Sequence, residues 1–408
     1  MYKNNNIAII FDDLTEFFVM QPAVDAIKKE KINLDIIVPY DSGYNGLAEH
    51  TFKKIKELGY SPLTDAPKNK TYQILLTPYP KLSILDRIKY IYHIRYPYGA
   101  ATTKPNPVFQ LDWKIQYDAL FSFNTNETKF LPAYGVKCYT VPHWSFYNFK
   151  KDNKTGAKPV LLVLPTFGED TSCASHFTEK SIKNLKDHYR IIVKAHHATH
   201  FQPNEQESIK KLKHLADEFY DSDIAVIELL KKADVVLSDN SGAIFEAICA
   251  GVPVALFAKD FNSRQFHGVN TLQQDLINQN LLPHTNTANE ILTMLQNIDK
   301  YIPKQKKLKK ELFLSIDKDP FSSFINIIKE YLGKNPEEDY NKILHDLMIK
   351  EWQSDKKTID NLKSEQVVFQ NKIDDLNKKI QAIHQSTSWK ITSPLRKLKS
   401  NLKGEKNE

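Results

Sequence analysis

Residues Ala233 to Phe257 read ADVVLSDNSGAIFEAICAGVPVALF. The apolar run Val235 to Leu237 suits a buried strand, and it ends in Ser238, Asp239, Asn240, Ser241 and Gly242. Apolar residues then recur at helical spacing from Ala243 to Ala250. Gly251 and Pro253 stop that helix, and Pro253 to Phe257 starts a second strand. A helix that begins straight after a strand presents amide N–H groups with no intrahelical partner at the positive end of its dipole. Small residues there let an anion approach, and the Ser241 hydroxyl adds a donor. The segment is built to hold a phosphate. The plainer alternative is capping of the helix by Asp239 or Ser241.

The same alternation extends outward. Arg190 to Lys194 and Pro159 to Pro165 read as strands, with helices expected over Glu179 to His188 and Glu205 to Phe219. Upstream of the polar stretch KKDNKTGAK, Lys150 to Lys158, the pattern occurs again. Strands are expected at Asn6 to Phe11, Leu34 to Pro39, Tyr72 to Leu76, Tyr117 to Phe123 and Cys138 to Pro142. Helices are expected at Gln21 to Lys29 and Leu47 to Leu58. Alternation of this kind predicts an α/β chain with two Rossmann-like domains of parallel sheet facing a cleft. The expected boundaries are 1–150 for an acceptor-side domain and 151–334 for a nucleotide-donor domain. From 335 the composition turns to charged helix formers. Ile359, Leu362, Phe369, Ile373, Leu376, Ile380 and Ile383 alternate by three and four, with Gln366 the one polar seam position. That heptad predicts a coiled coil within 335–385 that serves a homo-oligomer or an enzyme partner through 352–385. A surface helix packed on its own domain is the alternative. The basic tail 386–408 suits an anionic membrane interface, or else a solvated end.

The 408 residues are 41% hydrophobic and 26% charged, enough to bury a core. No apolar run reaches the roughly 20 residues that span a bilayer. The start MYKNNNIAIIFDD does not read as a signal peptide, so a cytoplasmic location is expected, peripheral to the inner face of the membrane if the tail binds it. Three scattered cysteines, Cys138, Cys173 and Cys249, suggest neither disulfides nor zinc, and no metal site or cofactor is expected. The net charge of +7 suits anionic ligands. No recognised nucleic-acid motif accompanies it, and no nucleic-acid partner is expected.

The Ala233–Phe257 segment resembles the donor-binding region of GT-B-fold transferases, above all the CDP-glycerol glycerophosphotransferase family, which builds teichoic acids and related capsular polymers. That family carries an aspartate, an aromatic residue, two serines and a later acidic residue. Here Asp239 and Ser241 match, Asn240 and Gly242 depart, and Glu246 fills the acidic position. The resemblance implies that Glu246 holds the donor ribose. A second glutamate eight positions earlier, common in retaining GT-B transferases, is Ser238 here, which disfavours that mechanism. Val193-Lys-Ala-His-His197 resembles the family's lysine, proline and histidine at a strand end. It implies that Lys194 with His196 or His197 reaches the donor phosphates, His196 being the better positional match. A surface histidine cluster that includes His200 is the alternative. Where relatives place a His-Gly pair, the expected base, this chain has Tyr98-Gly99. Tyrosine, with a free pKa of about 10, is a poor base at neutral pH. Asp12, Asp13, Glu16 and His143 are the other candidates, and Asp12 and Asp13 stand at a strand end, where α/β sheets put ligands. The expected catalytic residues are therefore His196, Asp13 and Tyr98. Ser388-Trp-Lys-Ile-Thr392 with Pro394-Leu-Arg396 resembles a tail on surface-polysaccharide glycosyltransferases.

The resemblance implies transfer of a glycerol-phosphate-like or glycosyl group from a nucleotide-diphosphate donor to a glycan or polyol-phosphate acceptor. Two other readings share the motif: a UDP-sugar 2-epimerase, and a degenerate GT-B scaffold that acts through its coiled coil.

Overall fold

The structure is a computed structural model that describes residues 6–40, 46–79, 85–100, 116–128, 136–153, 156–168, 172–196, 199, 205–221, 223–261, 270–315, 319–386 and 392. Two six-stranded parallel sheets dominate it. The first contains β1 (Asn6–Ile10), β2 (Asn33–Ile37), β3 (Thr71–Thr77), β4 (Lys89–Arg95), β5 (Ala119–Ser122) and β6 (Lys137–Thr140), in the order β2-β1-β3-β4-β5-β6. The second contains β7 (Val160–Leu164), β8 (Arg190–Lys194), β9 (Glu218–Tyr220), β10 (Val235–Ser238), β11 (Val254–Phe257) and β12 (His284–Thr285), in the order β12-β11-β10-β7-β8-β9. Central strands such as β5, β10 and β11 are buried along their whole length, as continuous apolar runs in a parallel sheet require. Strand order reverses between β1 and β3 in one sheet and between β10 and β7 in the other. Such reversals open a crevice at the carboxyl ends of the strands.

Three local expectations need correction. Helix α1 (Leu14–Lys29) begins well before Gln21, because Asp13 caps it by accepting the Glu16 amide at 3.0 Å. Helix α2 (Leu47–Glu57) and α3 (Glu179–His188) lie where expected. Helix α4 (Gln206–Leu215) stops short of Phe219. The Asp217 carboxylate accepts the Ile191 amide at 2.8 Å, and Glu218–Tyr220 pairs with β8 as an edge strand.

The third correction concerns the core. After α5 (Ala243–Ala250) and α6 (Ile302–Leu312), helix α7 (Pro320–Gly333) falls inside the segment assigned to the donor half, 151–334. It packs instead into the first sheet's core. Phe324 meets Phe121 and Trp144 at ring distances of 4.9 and 5.2 Å, and Tyr331 meets Tyr92 at 5.0 Å. Gln73 donates to the carbonyls of Tyr331 and Lys334, the last of which caps the helix end.

Contacts divide the chain into Met1–His345 and Asp346–Glu408. The boundary falls inside helix α8 (Tyr340–Gln385). Within the first unit, Asp118 holds the first turns of α8 through Lys342 at 3.1 Å and His345 at 3.2 Å. In the second unit the helix continues unbroken, with its apolar seam exposed. The Ile383 side chain and nearly all of 386–408 lie outside the described residues. Among the described residues no helix is long and apolar enough to cross a membrane.

Candidate functional site

The carboxyl ends of both sheets carry polar residues. At the second sheet, Asp239 is fully buried at the β7–β10 reversal. Both its carboxylate oxygens accept the Thr166 amide at 3.0 Å, and one accepts the Cys173 amide at 2.8 Å. Asp239 therefore braces the loop after β7. An anionic side chain engaged by amides in this way positions the backbone around it. Ser238 donates to the Leu164 carbonyl at 2.5 Å, which fixes the strand end. Asn240 donates to the Asp260 carbonyl at 3.1 Å, and Gln273 donates to the Asp239 carbonyl at 2.8 Å. These bonds hold the turn. Gly242 occupies the N-cap of α5 with no side-chain cap, and Ser241 Oγ accepts the Ala243 amide at 3.3 Å. A hydroxyl that accepts one amide keeps its own proton to donate.

Glu246 stands in the first turn of α5 and reaches the other half of the molecule. Its Oε1 accepts the Ala100 amide at 2.9 Å, and a Cβ added at Gly99 would lie 3.3 Å from the same oxygen. Its Oε2 is buried with no hydrogen-bond partner among the described residues. Burial pushes this carboxyl up to about 7. The Ala100 amide was not foreseeable from side-chain chemistry, because a backbone donor carries no residue signature.

Lys194, at the end of β8, is 7% exposed. Burial pulls its ammonium down to about 8, while Asp13, Asp221 and Asp223 favour the proton. Asp13 belongs to the first half, so Lys194 and Asp13 act on each other across the two sheets' carboxyl edges. His196 lies with its ring 4.8 Å from Phe167. His197 lies outside the described residues, as does His200. A second tie between the halves runs through Asp223. It accepts from His50 at 2.7 Å and pairs with Lys54 at 3.2 Å. Burial raises its carboxyl, yet these partners pull it below the usual range.

At the first sheet, the β1–β3 reversal gathers Asp12, Asp13, Glu16 and Tyr79, all after strand ends or on the first turn of α1. Tyr79 donates to Asp12 Oδ2. Glu16 accepts the Asp12 amide at 2.7 Å, and burial, then Asp13, raises its carboxyl well above the ordinary range. Tyr98 packs its ring 6.3 Å from Tyr79 and under the Arg95 guanidinium at 5.7 Å. Arg95, itself buried, donates to the Pro78 carbonyl at 3.0 Å. Tyr79 and Arg95 were missed in the sequence reading, although each follows or ends a strand of the parallel sheet. His143 is buried, stacked on Phe123 at 3.9 Å, and burial lowers it to about 3. A neutral imidazole wedged between rings is a core residue here.

Residues 146–318 match the family model described as CDP-Glycerol:Poly(glycerophosphate) glycerophosphotransferase. No curated protein sequence matches the chain. Among solved structures, the wall teichoic acid polymerase TagF is 15% identical, with a TM-score of 0.52, over 80% of this chain and 89% of that one. The MnaA–UDP complex of S. aureus is 15% identical, with a TM-score of 0.53, over 80% and 96%. UDP-GlcNAc 2-epimerase from Neisseria meningitidis, bound to UDP-GlcNAc, is 11% identical, with a TM-score of 0.51, over 81% and 100%. At these identities the likeness establishes the GT-B-type fold.

Proposed function

We propose that the chain is a transferase of the GT-B kind, similar to the CDP-glycerol glycerophosphotransferases, which moves a glycerol-phosphate-like group from a CDP-polyol donor to a polyol-phosphate or glycan acceptor. One observation carries the reading: Lys194, Ser241 and the amide end of α5 lie on the second sheet's carboxyl edge, and Lys194 interacts electrostatically with Asp13 on the first. An anionic diphosphate on the donor side would then meet an acid on the acceptor side, which suits attack by a hydroxyl. In this scheme the helix end, Ser241, Lys194 and His196 hold the diphosphate, and His197 stands beside them in sequence. Asn240, Gly242 and Asp239 keep the turn in shape, and Glu246 meets the ribose. The acceptor hydroxyl oxygen bonds to the β-phosphorus while the bond to CMP breaks. Its proton passes to the Asp13 carboxylate and then to water, and CMP leaves with the electron pair of the broken bond. Tyr98 and Arg95 line the acceptor side. Electrostatic positioning supplies most of the rate.

Thermal-shift titration with CDP-glycerol, CDP-ribitol, UDP-GlcNAc and CMP-sugars, followed by CMP release with an acceptor, tests this reading. Stabilisation by a CDP-polyol and acceptor-dependent CMP release are expected; no response to any nucleotide sinks it. Asp13→Asn should cut turnover at least about 100-fold while leaving the donor-induced shift in place. The epimerase reading draws on the fold shared with the UDP-GlcNAc 2-epimerase of Neisseria meningitidis. Conversion of UDP-GlcNAc without an acceptor would favour it instead.

A further inference from the structure

Beyond His345, helix α8 carries an apolar stripe that its own unit leaves in solvent. Ile359, Leu362, Phe369, Ile373, Leu376 and Ile380 are between 49% and 62% exposed. They fall on the a and d positions of one uninterrupted register, with Gln366 at the remaining a position. Val367 and Val368, 60% and 53% exposed, widen the stripe beside Gln366, but the apolar repeat sustained from heptad to heptad is the a/d repeat of a coiled-coil seam. A helix this long also draws most of its stability from burying such a face. We infer that residues 359–385 form a parallel two-stranded coiled coil with a second copy of this chain, independently of the reaction proposed above.

Three features select that occupant and that direction. Isoleucine at a (359, 373 and 380) with leucine at d (362 and 376) is the combination that favours two parallel strands. In the parallel arrangement Gln366 faces Gln366 of the second copy, and the two amides satisfy each other. In the antiparallel arrangement that aligns the whole seam, Gln366 faces Leu376, and its amide is buried without a partner. The flanks agree. Parallel pairing sets Glu365 beside Gln370 and Lys372 beside Asn377, with no like charges opposed. Antiparallel pairing gains Glu365 beside Lys379 but sets Lys372 against itself, and exposed ion pairs weigh less than a stranded amide. Asp355, at the preceding d position, ends the seam on the N-terminal side. From Ile359 onward the coil runs about 40 Å.

Light scattering on the full-length chain should give twice the chain mass at high concentration. Ile373→Asp combined with Leu376→Asp should return it to the chain mass, with the main thermal transition of the protein unchanged. Gln366→Cys in a Cys138→Ser background should form a crosslinked dimer on mild oxidation, because like a positions face each other only in the parallel coil. A chain that stays monomeric overturns the inference, as does a dimer that survives the double substitution. A dimer in which Gln366→Cys fails to crosslink overturns the parallel arrangement.

Discussion

Lys194 and Glu246 carry the most direct consequences of burial. Lys194 titrates at about 8, so it begins to lose its charge in a range where an exposed lysine keeps it. Donor affinity, read as the donor-induced thermal shift, should fall as pH rises through about 8. In Lys194→Arg the fall should move to higher pH, and Lys194→Met should weaken binding about tenfold or more at pH 7. Glu246 is shifted the other way, from 4.5 to about 7. The folded chain therefore holds a proton that the unfolded chain releases between those values. Stability falls as pH rises through that window, and the cost stands in full above it. Glu246→Gln should raise stability by roughly 1–2 kcal/mol at pH 8, less than the whole shift because the residue keeps some contact with solvent, and change little at pH 4. Melting curves of both proteins at the two pH values check this.

Helix α7 is the element whose position matters most. Phe324→Ala removes a ring packed between Phe121 and Trp144 and should cost about 3–5 kcal/mol in denaturant unfolding. Leu362→Ala on the exposed stripe of α8 should cost far less in the same measurement. The sequence made the α/β alternation legible because each strand is a short apolar run between helices, and the Ala233–Phe257 unit appears as β10, α5 and β11. It hid β9, since three residues at the end of a helical pattern give no period of their own. It could not say which sheet α7 covers, because an amphipathic face fits either. At the site, Asp239 and Lys194 were visible as residue types at strand ends. The Thr166 and Cys173 amides that Asp239 accepts, and the Ala100 amide that Glu246 accepts, were not, since any residue supplies an amide.

On the scale of the whole molecule, the division at His345 separates the two-sheet unit from the rest of α8. A chain ending after His345 should keep the donor-induced thermal shift while losing self-association, as calorimetry and light scattering would show. Inside the two-sheet unit, the return of α7 to the first core means that the polypeptide passes between the halves twice. Trp144 belongs to the first core and Phe146 to the second; Phe313 belongs to the second and α7 to the first. The second sheet is thus topologically an insertion within the first half. A body tethered by one strand can swivel in any direction, but one tethered by two is left mainly with rotation about the line through both tethers. Opening of the cleft then follows one dominant coordinate. Any motion along it would have to break the Glu246–Ala100 and Asp223–His50 bonds that tie the halves together.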